Sequence, residues 1–419
     1  MDVLLQKFFE AWRWEKALEV GVGKGIDKGE LRRLTCPEVR VAMYNCIVSD
    51  NYEIAPPHQA EIPKDDGTMR IVYVNENVDR VFLSIVNDML FELFPEMIHK
   101  SCKSYQSGIG CGKVVQEVSK HLCNTSGKVI GWKSDLSKYF DTVPREFIDK
   151  VFDEIEDKVG KSKIIDIVRK YYHTDWCFDV DGNLIEHYQS LKQGCAVASF
   201  LADTMLYHID ERLSTMDGYY VRYSDDCLYI GADYEKAMEL MKMYLGKMQL
   251  TLNPKKIEYL THDKWFKFLG FSICGNQITL SKGRIKTFQK EIQSRTVNNR
   301  HTTPTKAINQ VNRYLYKGDG RYSFATSVLP IINVQHDIDM MNEFVMDCIR
   351  GVMTGKGKTG GLGYVNDRPE GVIVRGIGKN VTANRNKTPK EIEGYMSLRA
   401  MQNAILSCRK VYEALVRQM

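Results

Sequence analysis

Two short stretches set acidic residues where a packed chain gains nothing from them. VRYSDDCLYIG, residues 221–231, holds Asp225 and Asp226 side by side in a run that is otherwise apolar or aromatic. KSDLSKYFD, residues 133–141, carries Asp135 just after another strand-like run. Neighbouring carboxylates repel, and neither is buried cheaply without a compensating cation. A lone aspartate pair is also what a solvated turn tip looks like. Three aspartates converging on one sheet edge are different, because hard oxygen ligands suit Mg²⁺. Two such ions, roughly 3.5–4 Å apart, can clamp the attacking and leaving oxygens of an in-line displacement. Phosphoryl transfer asks mainly for positioning and charge neutralisation, so little other side-chain chemistry is needed.

Two other stretches imitate ligand loops and fail on spacing. Gly355–Thr359 (GKGKT) would need a glycine at Val352 to complete a phosphate loop, and no clear strand precedes it. Asp179–Asn183 (DVDGN) opens like a calcium loop. It has Leu184 where that loop needs its glycine and Ser190 where it needs its glutamate, so it reads as a hairpin turn.

The elements that must carry the aspartates follow from periodicity. Leu4, Leu5, Phe8, Phe9 and Trp12 recur at helical spacing and predict an apolar stripe. EIPKDDGTMRIVYV predicts a hairpin turning at Asp66-Gly67. Residues 78–122 read as helical around an SYQSGIGCGK interruption, and KVIGW (128–132) as a short strand leading to Asp135. Residues 144–172 read as helix, CFDVDGNLIEHY as a hairpin, and LKQGCAVASFLADTMLYHIDERL as a loop turning into a helix. VRYSDDCLYIGA is a further hairpin; a helix through Met248 and strands KFLGFSI and QITL follow. Beyond Ser281 the chain is helical and basic, up to a Gly-rich segment and a last helix beginning near Pro389.

With 419 residues and 43% hydrophobic content, the chain can build two or three cored domains. No run of 18 uncharged apolar residues occurs, and charges are spread through the N-terminus, so neither a membrane span nor a signal peptide is expected. Eleven scattered cysteines without a C-x-x-C fit reduced thiols better than disulfides or structural zinc. The net charge of +5 is concentrated late, in SKGRIKTFQKEIQSR and VRGIGKNVTANRNK. Such placement suits a polyanionic partner as well as it suits solvated helix faces.

Taken in order, these motifs resemble reverse transcriptases, in particular the prokaryotic type related to group II intron, retron and abortive-infection enzymes. The resemblance spans about residues 62–273. EIPKDDGTMRIVYV is similar to the fingers hairpin, KSDLSKYFD to the first palm motif, LKQGCAVASFLAD to the Q-G-x-x-x-S motif and YSDD to the Y-x-D-D hairpin. LTLNPKKIEYL resembles the motif after it, with Lys256 at the position of its lysine, and KFLGFSI resembles the primer-grip hairpin, while SGIGC stands where relatives often carry GFRPG.

The resemblance implies an α+β right-hand polymerase. Its parts would be a helical N-terminal region (1–60), fingers (61–133), a palm (134–272) with a helical insertion at about 144–190, a helical thumb (273–354) and a basic C-terminal extension (355–419). It implies catalysis by Asp135, Asp225 and Asp226, which with the Leu136 backbone carbonyl would hold two Mg²⁺, Mn²⁺ being a substitute. Lys64, Arg70, Gln193, Gly194 and Lys256 would contact the dNTP. Phe140 would exclude a ribose 2′-OH, although a plain core role fits the same spacing. Tyr223 and Ser224, with Phe268, Leu269 and Gly270, would face primer and template. Expected partners are an RNA template, primer or product DNA and dNTPs, with no membrane, in a bacterial cytoplasm.

Lineage is less directly written. The V-T-G thumb element usual in retron enzymes is missing, Phe200 rather than glutamine follows Ser199, and no Cys/His cluster follows the thumb-like region. This places the chain nearest the abortive-infection and unclassified defence-associated types, which work with a dedicated structured RNA. Retron, diversity-generating and group II intron enzymes, and a template-independent or protein-primed polymerase, remain alternatives, as does a non-catalytic RNA-binding protein. The Gly-rich extension reads either as an RNA-binding segment or as a flexible linker.

Overall fold

The computed structural model describes residues 2–22, 25–63, 68–106, 108–317, 323–357, 359–365, 368 and 370–416, with 408–416 as backbone only. Helices and mainly antiparallel strands interleave in an α+β arrangement. The chain divides into two compact units, Met1–Ile109 with Gly131–Tyr259, and Gly110–Ile130 with Leu260–Met419. The strands are β1 (His58–Pro63), β2 (Met69–Val74), β3 (Gly131–Asp135), β4 (Trp176–Phe178), β5 (Leu184–Glu186), β6 (Tyr219–Tyr223) and β7 (Asp226–Ile230). They continue with β8 (Glu258–Leu260), β9 (Phe266–Phe268), β10 (Phe271–Cys274), β11 (Gln277–Leu280), β12 (Leu362–Tyr364) and β13 (Ile373–Arg375).

The first unit opens with helices Val3–Phe8, Ala11–Val20, Lys28–Leu34 and Pro37–Val48. Leu4, Leu5 and Phe8 are buried as their spacing predicts, but the helix ends at Phe8. That break rotates the next turn, so Trp12 faces solvent and Trp14 enters the core, its indole N–H donating to the Phe8 carbonyl at 2.9 Å. β1 and β2 form the expected hairpin with Ile62 opposite Arg70. Its tip, including Lys64 and the Asp66-Gly67 turn, lies outside the described residues. A second sheet has the order β6-β7-β3-β8. Its β3 starts three residues later than KVIGW suggests and carries Asp135 as its last residue. The shift follows from pairing, since β3 matches β7 residue for residue from Gly131–Ile230 to Asp135–Asp226. Only glycine fits at 131, because a Cβ would run into the Tyr229 carbonyl oxygen. The helical stretch expected at 144–172 is two helices, Arg145–Val159 and Lys163–His173, broken where Gly160 takes φ +85°. Helix Asn77–Leu93 lies at the centre of the unit, burying Phe82, Val86, Met89 and Leu90 in one core with Trp132, Phe152, Ile164, Val168 and Phe200.

In the second unit, helix Cys111–Asn124 packs on the β9–β10–β11 meander. KFLGFSI is the hairpin that its resemblance implies rather than a single strand, closed by a two-residue turn in which Leu269 and Gly270 take φ +47° and +79°. Positive φ at both central residues is what tight hairpins require. Helices Lys282–Arg295, Pro304–Asn312 and Gln335–Met353 follow. The Gly-rich segment is not a linker. β12 and β13 pair within it, and the buried Asp337 carboxylate accepts from the Thr279 hydroxyl at 2.8 Å and from the Val372 and Ile373 N–H groups at 3.1 Å each. Arg375, itself buried, pairs with Asp347, which also holds Arg385 at 2.9 Å. The last stretch holds two helices, Lys379–Lys387 and Leu398–Val416, rather than one from Pro389. Among the described residues, no helix is long and apolar enough to cross a membrane.

Candidate active site

The three aspartates meet at one end of the β6-β7-β3-β8 sheet. β6 and β7 are joined by the two-residue turn Ser224-Asp225, with Tyr223 opposite Asp226. So tight a hairpin demands left-handed backbone, and Ser224 takes φ +58°. Asp226 begins β7 directly across from Asp135. The Leu136 N–H then donates to the Asp225 carbonyl at 3.1 Å, tying the end of β3 to the turn. The residues after β3 are held in turn by the segment before β8. Asn253 N–H donates to the Asp135 carbonyl at 2.9 Å and Ser137 N–H to the Thr251 carbonyl at 2.8 Å.

Burial makes this carboxylate cluster electrostatically tense. The Asp226 carboxyl is pushed up to about 6, first by desolvation and then by the charges of Asp225 and Asp135. Asp225 is raised for the same leading reason, with Asp135 adding to it and Lys256 and Arg70 opposing. Lys256 Nζ forms an ion pair with Asp135 Oδ2, which raises the lysine's own pKa. The other oxygen of Asp135, Oδ1, is buried without a hydrogen-bond partner among the described residues. A buried carboxylate oxygen left unmatched is costly, and hard oxygen donors with excess negative charge suit a divalent cation. Among the described residues, no three acidic, imidazole or thiol groups already form a ligand cage. For Asp135 to ligate through both oxygens it must part from Lys256.

The remaining expected residues are placed as follows. Arg70 lies on β2, exposed, and close enough to favour the charged form of Asp225. Phe140 lies in the short helix Tyr139–Thr142, half-buried, edge-on to Tyr139 with ring centroids 5.6 Å apart. Its carbonyl accepts from the Leu191 N–H at 3.1 Å, which joins it to the segment carrying Gln193. The Gln193 carbonyl accepts from the Tyr73 N–H at 2.7 Å. Gly194 has φ +113°, and a Cβ there would lie 2.7 Å from the Tyr73 carbonyl oxygen. The close approach that requires this glycine is therefore to β2, within the protein itself. Phe268 ends β9, and Leu269 and Gly270 form the β9–β10 turn of the second unit.

Sequence reasoning missed four residues beneath the Ser224-Asp225 turn: Ser104, Asp203, Asp210 and Arg222. Arg222 and Asp210 are wholly buried and paired at 2.6 Å. A signal was present, since Arg222 interrupts an apolar strand. Asp203 and Asp210, seven residues apart in an apolar helical stretch, repeat on one helical face.

The sequence model described as reverse transcriptase (RNA-dependent DNA polymerase) matches residues 62–273. That is just over half of the chain, and the chain belongs to this family. It is 25% identical over 207 residues to the retron Ec48 reverse transcriptase of Escherichia coli, an alignment covering 47% of each chain. The chain thus spans about half the length of this curated relative. Solved structures with a similar trace include apo telomerase from Candida tropicalis truncated of its C-terminal domain, at 16% identity and TM-score 0.43, covering 57% of this chain and 59% of that one. Telomerase from Candida albicans in complex with the TWJ fragment of telomeric RNA aligns at 13% identity and TM-score 0.42, covering 76% of this chain and 66% of that one.

Proposed function

We propose that the chain is an RNA-directed DNA polymerase that extends a primer with dNTPs on an RNA template. The observation that carries this reading is the gathering of Asp135, Asp225 and Asp226 at one sheet end inside the family-matched region. Asp135, Asp225, Asp226 and the Leu136 carbonyl would hold two Mg²⁺, or Mn²⁺ in their place. Such ions, when bound, activate a primer 3′-hydroxyl and neutralise the departing pyrophosphate.

The chain's own groups do the rest. Arg70 on β2, with Lys64, offers positive charge to the triphosphate, the guanidinium as a fork and the ammonium as a point. Lys256 is held charged by Asp135; released from it, the side chain is still an ammonium at the ordinary lysine pKa and is able to give its proton to pyrophosphate. Phe140 stands as the sugar gate, Gln193 and Gly194 face the nucleotide, and Tyr223 and Ser224 flank the primer end. In this reading residues 61–133 act as fingers, 134–272 as palm and 273–354 as thumb, with Phe268, Leu269 and Gly270 gripping the primer. The basic helix Lys282–Arg295 and the 355–419 extension would track phosphates, giving binding a salt-dependent slope.

The template we favour is a dedicated structured RNA, in bacterial antiphage defence. A retron-type role is the second reading, favoured by the match to the retron Ec48 enzyme. The test is dNTP incorporation with Mg²⁺ by the intact chain and by Asp225→Ala/Asp226→Ala. Incorporation should vanish in the variant, and equal incorporation by both would sink the polymerase reading. Sequencing of co-purifying nucleic acid tests the template: one dominant structured RNA with a complementary cDNA supports the defence reading, and a spread of unrelated RNAs weakens it.

A further inference from the structure

A buried charged network lies beneath the Ser224-Asp225 turn, and none of its members is expected to touch metal, nucleotide or primer. Arg222 is fully buried, as are Asp203 and Asp210. Its Nε donates to Asp210 Oδ1 at 2.8 Å and its Nη2 to Asp210 Oδ2 at 2.6 Å, a two-pronged pair. Tyr220 donates its hydroxyl to the same Asp210 Oδ1 at 3.0 Å. Nη2 also reaches the Asp203 carbonyl at 2.8 Å. The remaining arm, Nη1, donates to the Ser224 carbonyl at 3.0 Å. On the other side of the same residue, Ser224 N–H donates to Ser104 Oγ at 2.9 Å, and the Ser104 hydroxyl donates to Asp203 Oδ1 at 2.6 Å.

Both backbone polar groups of Ser224 are therefore held by side chains that are themselves anchored in the interior. The consequence for Asp225 follows from peptide planarity. The Ser224 carbonyl belongs to the same rigid plane as the Asp225 N–H, so the Arg222 bond sets the plane entering Asp225. The plane leaving it is set by Leu136, whose N–H donates to the Asp225 carbonyl. With both flanking planes fixed, the direction of the Asp225 Cα–Cβ bond is fixed as well, and only the side-chain torsions remain to aim its carboxylate. Stability alone is a poor reason for this arrangement, because a buried ion pair is often matched or exceeded by apolar packing of equal volume. Ser224 is moreover held at φ +58° without being a glycine, a conformation that surrounding structure must enforce.

We propose that Arg222, aligned by Asp210 and Asp203, acts with Ser104 as a positioning device that aims Asp225 at the metal site. This rests on Asp225 being a metal ligand of the polymerase. It predicts that loosening the clamp weakens ion binding and the chemical step while leaving nucleotide affinity in place.

Two variants test it in the full-length chain. Ser104→Ala removes the acceptor for Ser224 N–H without removing any charge. Arg222→Lys keeps a cation beside Asp210 but cannot serve Asp210, Asp203 and Ser224 with one ammonium. The probe is Mn²⁺ alone, titrated into nucleotide-free protein and followed by the electron paramagnetic resonance signal of the free ion. Thermal unfolding and steady-state dNTP incorporation accompany it. Ser104→Ala should lower the unfolding midpoint by about 5 °C or less. It should lower kcat by about tenfold to a hundredfold, raise the Mn²⁺ half-saturation by about fivefold and shift the dNTP KM by no more than about twofold. Arg222→Lys should exceed it in each effect if folded, and if it does not fold Ser104→Ala decides alone. A folded Ser104→Ala chain with intact Mn²⁺ affinity and kcat would overturn the proposal. Asp225→Asn separates this outcome from failure of the polymerase reading. If that change abolishes Mn²⁺ binding in a chain that never incorporates dNTPs, the polymerase reading falls while the positioning role is judged on Mn²⁺ affinity. If Mn²⁺ binding ignores Asp225→Asn, the positioning role falls.

Discussion

Lys192 offers a sharp test of how the segment presenting Gln193 and Gly194 is held. Its side chain is only 1% exposed, and its backbone takes φ +50°. The ammonium donates to the Thr174 carbonyl at 2.7 Å and to Gln189 Oε1 at 2.8 Å, and sits 4.7 Å from the centre of the Tyr171 ring. Among the described residues no carboxylate forms an ion pair with it. Burial therefore dominates, and the pKa falls from the usual 10.5 to about 8. Such a displacement corresponds to about 3 kcal/mol of penalty on the charged form. Because the folded chain releases this proton at a lower pH than the unfolded one, stability from this group rises with pH between about 8 and 10.5. Below that window the full penalty is present. Lys192→Met removes the penalty but strands two buried acceptors at about 1–3 kcal/mol each. At neutral pH the opposing terms are of similar size, so the net change there is a poor discriminator. The pH dependence is the better one. Relative to the variant, the intact chain should gain about 2 kcal/mol between about pH 7 and pH 9.5. Urea unfolding of both proteins at the two pH values, under reducing conditions, measures it. A stability difference that stays constant across that interval would refute the buried, charged lysine.

Three further outcomes are expected. Phe140→Ala should admit rNTPs in a competition assay, raising rNTP use by about tenfold or more; unchanged sugar selectivity would remove Phe140 from the gate. Gly131→Ala forces a Cβ against the Tyr229 carbonyl oxygen and should cost about 3 kcal/mol or more of stability, read as a lower urea midpoint together with lost incorporation. Asp337→Ala removes the acceptor shared by Thr279, Val372 and Ile373. Hydrogen exchange at Val372 and Ile373 should then accelerate, while exchange in β3 and β7 stays as it was.

Much of the fold was legible because its signals are local. The β1–β2 and β6–β7 hairpins announce themselves by the alternation of their strands, and the register of β6–β7 follows from its two-residue turn. Most core helices show in their apolar spacing. Misreadings arose where a single residue redirects a regular pattern, as at the helix end after Phe8 or at Gly160. The Gly-rich segment was legible only as a choice between an RNA-binding segment and a flexible linker. Composition predicts flexibility, yet one buried carboxylate, Asp337, supplies the acceptors that order it.

The sequence by itself determined the chemistry on offer: three aspartates, a lysine near the last motif, and an order of motifs matched by the reverse transcriptase family. These are properties of residue type and spacing, which a chain displays without folding. Only the tertiary structure decided that Asp135 faces Asp226, that Lys256 neutralises Asp135 and that Gly194 is required by Tyr73. It alone also showed Arg222 and Ser104 gripping the turn from below. Ser104 and Ser224 are 120 residues apart, and no local pattern encodes such a meeting. Strand pairing and the burial of charge bring it about, because a buried donor or acceptor must find a partner wherever the chain places one.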